Sequence, residues 1–210
     1  MGLISKKRIF DVSAALTLLP FAVPVIIIGY TAIKLSTGGD GFYIQERQGL
    51  NGKPFDMVKL CSLETHTNEK GLIVPRATKV GAFLRKHSLD ELPQLWNVLK
   101  GDMSMVGPRP RIHNLDGYAP HSSFAKEKLK PDDPILSVKP GLTGPFHIAV
   151  KNTKDGTHLT RADKDKLEHK YATQAFSLRR DFSMCLETIS IILKGKIDNY
   201  VKDHALRNTP

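Results

Sequence analysis

From Val12 to Ile33 the chain reads VSAALTLLPFAVPVIIIGYTAI without a single charge. About twenty such residues suffice for a helical membrane span. Pro20 and Pro24 fall in the middle of the run. Each lacks the N–H that a helix interior needs and crowds the preceding turn, so the pattern predicts a kink or a break. Lys6, Lys7 and Arg8 precede the run, and nearly all other lysines and arginines follow it. Basic residues favour the cytoplasmic side, which puts both ends of the segment on that side. A helix that enters, breaks near Pro24 and returns in one leaflet satisfies both conditions. The expectation for residues 1–36 is therefore a re-entrant membrane hairpin with a basic flank, with a kinked straight span as its alternative. The chain continues without a small-residue processing site, so this is not a cleavable signal.

Residues 37–210 read as one mixed α/β, mostly helical domain. GFYIQE and FDMVKL have the character of short strands joined by an Asn51-Gly52 turn. ATKVGAFLRK (77–86) reads as a helix with Val80, Phe83 and Leu84 on one face. A second helix is expected from Glu91 to Lys100, closed by Gly101. The prolines and glycines of LKPDDPILSVKPGLTGP mark a loop region. Helices follow at 162–177 and 180–194. The last carries an apolar stripe of Phe182, Cys185, Leu186, Ile189 and Leu193, suited to core packing or to an interfacial amphipathic helix beside a membrane.

Composition narrows the partners. The formal charge of +10 points to an anion: nucleic acid, anionic lipid or a phosphorylated substrate. No recognition motif or aromatic–basic interleaving supports nucleic acid, and that class does not explain the apolar run. The two cysteines, Cys61 and Cys185, form no CxxC, and the eight histidines form no HExxH, which argues for a reducing compartment and against a zinc site. No GKS or GKT follows the glycines at 38–52, so a P-loop is excluded.

The richest stretch is SLDELPQLWNVLKGDMSMVGPRP, residues 88–110. Pro93 belongs in the first turn of a helix, which makes Asp90 the expected N-cap and Glu91 the first helical residue. That is one use for the pair. The same position keeps Asp90 ionised as a nucleophile or metal ligand, and suits a bound phosphate. GPRP at 107–110 holds Arg109 in stiff backbone, fit either for a two-point phosphate contact or for a plain turn. Lys59, Arg76, Arg85 and Lys139 add loop cations. One carboxylate pair among several cations fits phosphoryl transfer better than acid–base hydrolysis.

These residues carry a resemblance. KRIFD, the proline-broken apolar run, QERQGLNGKPF, PRATKVGAFLRKHSLDELPQLWNVLKGDMSMVGPRP and VKPGLTG occur in order. The chain resembles the bacterial sugar transferase family of monotopic polyprenyl-phosphate phosphoglycosyl transferases, in its small form, over essentially its whole length. The resemblance implies transfer of a phosphosugar from a nucleoside diphosphate sugar, usually UDP-linked, to polyprenol phosphate, with release of UMP. It implies a covalent phosphosugar on Asp90 and Mg²⁺ held by Glu91 with Asp90. The phosphate contacts fall to Lys59, Arg76, Arg85, Arg109 and Lys139. It further implies the cytoplasmic face of a bacterial inner membrane, with anionic lipids and a second copy of the chain as further partners.

Three positions depart from the family pattern: Val23 stands before Pro24 where serine is usual, Cys61 stands where an arginine is expected, and Glu168 stands in place of aspartate. The change at Cys61 removes a cation near the expected site. Two other readings remain: a nucleotide-sugar glycosyltransferase using Asp163-Lys164-Asp165 as a metal motif, and a catalytically weak membrane scaffold.

Overall fold

The computed structural model describes residues 5–67, 73–113, 132–152 and 160–193; the side chains of 65–67, 73–76, 150–152 and 161 fall outside that description. Helix α1 (Lys6–Thr37) starts where the Ser5 hydroxyl accepts from the Arg8 N–H and stops at Gly38, whose φ of 71° lies in the left-handed region. At 1.5 Å per residue it is about 48 Å long. Its buried positions are Asp11, Ala15, Ala22, Gly29 and Ile33, a single stripe of mostly small residues. Small side chains allow close approach: a Cβ on Gly29 would lie 2.8 Å from Leu60 Cδ1. The remaining apolar surface is uncovered, with Phe21 74 % and Ile28 68 % exposed. A core helix of a water-soluble domain would hide those faces.

The expected break at Pro24 is absent, because α1 is helical through both prolines. Packing accounts for the difference. Each proline costs one N–H donor, but Ala15 before them, Ala22 between them and Gly29 after them seat both halves on the same body. Both ends also rest on that body: Lys7 reaches Asp181, and Ile33 packs with Leu60 and Leu84. The helix thus lies along the domain instead of leaving it.

The hairpin predicted around Asn51-Gly52 is present. Strands β1 (Phe42–Gln48) and β2 (Pro54–Leu60) pair antiparallel, and the turn uses positive φ at Asn51 (56°) and Gly52 (71°). A second antiparallel hairpin, β3 (Leu63–Thr67) with β4 (Ile73–Ala77), was not foreseen from the pattern. Helix α2 (Lys79–Lys86) is capped by Thr78, and α3 (Gln94–Lys100) ends at Gly101. Strands β5 (Ser104–Val106) and β6 (Gly141–Thr143) pair in parallel, the latter inside the stretch expected to be loop. Then come α4 (Pro145–Asn152), α5 (Arg161–Ala172) and α6 (Leu178–Leu193).

The core gathers Phe55, Met57, Leu95, Val98, Met103, Met105, Val106 and Tyr171 against Ala15 and Ala22 of α1. The apolar stripe of α6 does not join it as a whole. Phe182, Leu186, Ile189 and Leu193 are exposed, together with Leu178, while Cys185 packs inward.

Candidate active site

The first hairpin supplies one wall of the site. Phe55, Met57 and Lys59 alternate on one face of β2, and Arg47 lies opposite Phe55 on β1, so the core-facing side of the hairpin ends in two cations. Burial lowers the Lys59 pKa, opposed chiefly by the nearby Glu91 charge. Its ammonium also stands 5.2 Å from the Tyr43 ring centroid. Helix α3 holds this strand by a side-chain imitation of strand pairing. Buried Asn97 accepts from the Val58 N–H (3.2 Å) and donates to the Asp56 carbonyl (2.7 Å).

The carboxylate pair lies in the link between α2 and α3. Asp90 does not cap α3 as the pattern predicted. Ser88 takes φ 53°, and residues Leu89–Glu91 form a single 3-10 turn ahead of Pro93. That left-handed serine turns the chain so that Asp90 is buried, 5 % exposed, instead of lying at the helix mouth. The Ser62 hydroxyl donates to Asp90 Oδ2 at 3.4 Å and accepts from Arg85 at 3.5 Å. Gly81 permits this, since a Cβ there would lie 2.0 Å from the Ser62 carbonyl oxygen. Burial pushes the Asp90 pKa up to about 6, helped by the Glu91 charge and opposed by Arg85 and Lys59.

Glu91 faces an open pocket whose charged lining is Arg47, Lys59, Glu91, Arg109 and Glu168. Arg109 is placed by backbone contacts. Gly107 and Gly141 touch so closely that a Cβ on Gly107 would lie 2.8 Å from the Gly141 nitrogen. Pro108 and Pro110 are buried while Arg109 is exposed between them, which realises the stiff presentation expected of GPRP. Its guanidinium reaches Glu91 at 3.4 Å and His147 Nδ1 at 3.3 Å. A guanidinium cannot accept, so Nδ1 is the acceptor in that contact.

The structure brings Asp90, Glu91, Lys59, Arg85 and Arg109 together. It does not bring Lys139. Its ammonium lies over Gly101, where the Arg8 guanidinium also lies, and burial followed by the Arg8 charge lowers its pKa. Arg76 faces Glu64 across the β3–β4 pair, and its side chain is outside the described residues. Arg47, Gln94 and His147 are pocket residues that the sequence reading missed. Arg47 does stand inside the quoted QERQG; His147 gave no signal.

Glu168 is fully buried on α5. It accepts from the Arg109 backbone N–H at 2.9 Å and from Arg111 at 2.6 Å. Its departure from aspartate therefore sits directly behind Arg109. Cys61 packs against Ile33, Leu60 and Leu84, so it occupies the α1 cluster and not the pocket. The Asp163-Lys164-Asp165 motif is structurally occupied: Asp163 closes a capping box with Thr160, and Asp165 pairs with Arg111 at 3.0 Å.

Among the described residues no group of three or more histidine, cysteine, aspartate or glutamate side chains is gathered for a metal. The Asp90–Glu91 pair still fits Mg²⁺, which binds through one or two carboxylates and completes its shell with water and phosphate oxygens. Burial first and then the Glu91 charge raise the Asp90 pKa, and a cation between the two carboxylates would relieve the repulsion.

A family model described as bacterial sugar transferase matches residues 3–195. The UDP-glucose:undecaprenyl-phosphate glucose-1-phosphate transferase of Caulobacter vibrioides is 35% identical over 196 residues, covering 90% of this chain and 70% of that protein. A putative undecaprenyl-phosphate N-acetylgalactosaminyl 1-phosphate transferase of Bacillus subtilis is 48% identical over 109 residues, covering 50% of this chain and 61% of that protein. The undecaprenyl-phosphate galactose phosphotransferase of Salmonella typhimurium is 33% identical over 210 residues, and this chain spans 40% of its length.

Proposed function

The chain belongs to the bacterial sugar transferase family, and from that premise we propose that it moves a sugar 1-phosphate from a UDP-sugar to polyprenol phosphate. The observation that carries this reading is Asp90, a buried carboxylate with Arg85 and Lys59 countering its charge, next in the chain to Glu91, which lines a pocket with Lys59 and Arg109. Two anions must meet in this reaction, and cations on both sides of the reacting phosphate are what lowers that barrier.

The β-phosphate of the donor sits at the end of the pocket where Lys59 and Glu91 adjoin Asp90. An Asp90 oxygen attacks the β-phosphorus, the bond to the bridging oxygen breaks, and UMP leaves. A polyprenol phosphate oxygen then attacks the same phosphorus and expels Asp90, giving the polyprenyl diphosphate sugar. The acceptor oxygen is already anionic, so no base is needed to remove a proton. A carboxylate pKa near 6 leaves Asp90 mostly ionised at neutral pH while its burial keeps it poorly hydrated. Arg109 clamps the diphosphate with Arg47 beside it, and Glu168 fixes the backbone from which Arg109 projects. Mg²⁺ held by Glu91 with Asp90 would neutralise charge on the diphosphate.

The uncovered apolar faces of α1 and the exposed stripe of α6 are suited to lipid. That both ends of α1 rest on one body supports both ends lying on one side of the bilayer, as in a monotopic protein. We place that side at the cytoplasmic face of the bacterial inner membrane, where UDP-sugars are made. Anionic lipid is the natural neighbour of a chain with a charge of +10.

Purified protein tested against a panel of UDP-sugars with undecaprenyl phosphate and Mg²⁺ should release UMP for at least one sugar. Release of UDP would instead indicate a glycosyltransferase, and no release with any sugar would favour a scaffold.

A further inference from the structure

We propose that Lys7 and Asp11, in the first turns of α1, are positioning residues for Arg109, so that seating of the apolar helix and readiness of the phosphate pocket are one device. This rests on Arg109 being a phosphate ligand, as proposed above.

One edge of β5 pairs with β6: the Ser104 N–H donates to the Pro140 carbonyl at 2.8 Å, and the Gly107 N–H to the Thr143 carbonyl at 2.9 Å. No other strand lies against the opposite edge among the described residues. Side chains meet its polar groups instead. Asp11, 2 % exposed, accepts from the Met105 N–H at 3.0 Å and the Ser104 hydroxyl at 2.9 Å. The Val106 carbonyl accepts from the Lys7 ammonium at 3.1 Å and the Tyr171 hydroxyl at 2.9 Å. Lys7 also bridges Asp11 at 3.3 Å and the fully buried Asp181 at 2.7 Å. Two charged residues one turn apart on α1 thus do for β5 what a neighbouring strand would do.

The connection to Arg109 is short and stiff. Gly107 and Pro108 follow Val106 directly, and a Cβ on Gly107 would lie 2.4 Å from the Lys139 carbonyl oxygen, so that backbone contact leaves no slack. Pro108 is fully buried with a fixed φ. A shift of Met105 or Val106 therefore passes to Arg109 instead of being absorbed. An apolar contact would hold α1 to the core at least as well as a buried ionic cluster, whose ions must be stripped of water. What the cluster adds is position.

The test uses full-length protein in detergent. Asp11→Ala should lower kcat/KM for the UDP-sugar at least tenfold, and Asp11→Asn, which keeps an oxygen for the Met105 N–H, should recover most of it. Hydrogen exchange should speed up at residues 104–109 in Asp11→Ala and stay unchanged in the β1–β2 hairpin. Combined with Arg109→Lys, the joint loss should be smaller than the product of the two separate losses. If Asp11→Ala cannot be purified folded, Tyr171→Phe removes one donor to Val106 and takes its place in the cycle. Losses that multiply, or exchange at 104–109 that does not change, would overturn the proposal. If Arg109→Lys alone matches wild type, the phosphate reading of Arg109 falls first and the proposal with it.

Discussion

Asp90 is held in a state that its own fold resists. Its pKa is about 6 against an ordinary 3.8, so the folded protein favours the protonated form. The corresponding stability is fully present below the ordinary value and is lost as pH rises through about 6. At neutral pH the ionised carboxylate therefore costs the fold on the order of 3 kcal/mol, at about 1.4 kcal/mol per pH unit. Asp90→Asn should abolish UMP release and yet raise the melting temperature by several degrees at pH 7.5 in EDTA, with the gain gone below pH 4. In the wild type, kcat/KM should rise with pH through about 6 as Asp90 ionises. Arg109→Lys keeps the charge but cannot make a planar two-point contact, and should lose about ten- to a hundredfold in kcat/KM. Asp90, Glu91 and Arg109 are legible in the sequence because each sits at a local landmark, a proline-marked helix start or a Pro-Arg-Pro. His147 is not, and Glu168 is marked only through the resemblance, because long-range packing is what brings both to Arg109. Lys139 shows the converse failure. The sequence places a cation in a loop but does not say which way it turns.

At the scale of elements, the site depends on backbones that touch. The β5–β6 contact aligns GPRP with VKPGLTG, and it needs Gly107, Gly141 and Gly144 because a Cβ on Gly144 would lie 2.0 Å from the Gly107 oxygen. Gly107→Ala should destabilise by about 2 kcal/mol or more, read as a lowered urea midpoint, and should cost more activity than the stability loss explains. Unchanged activity in that variant would mean that this contact does not set Arg109. The glycines are visible in the sequence, but the parallel pairing they permit is not. Three-residue strands lack any readable period, and their partners lie far apart in the chain. The first hairpin is legible because Asn51-Gly52 supplies the positive φ its turn requires. Helix α3 begins at Gln94, three residues later than the expected start at Glu91, because Ser88 diverts the chain first.

For the whole molecule, an apolar helix seated lengthwise on a basic domain replaces the hairpin that two prolines predicted. Composition identifies the segment, but its path is decided by a stripe of small residues that meets the body on both sides of the prolines. Ser5→Cys and Ser36→Cys should be modified by an impermeant reagent only after cells are permeabilised. Labelling of one of them in intact cells would mean that α1 crosses the bilayer. The most direct test of the chemistry is intact-protein mass spectrometry after incubation with UDP-sugar and Mg²⁺ in the absence of polyprenol phosphate. The expected result is a mass gain of one phosphosugar, mapped to the peptide containing Asp90, with a matching burst of UMP, and neither in Asp90→Asn. An active preparation that shows no adduct and no burst, or an Asp90→Asn variant that turns over normally, would contradict it.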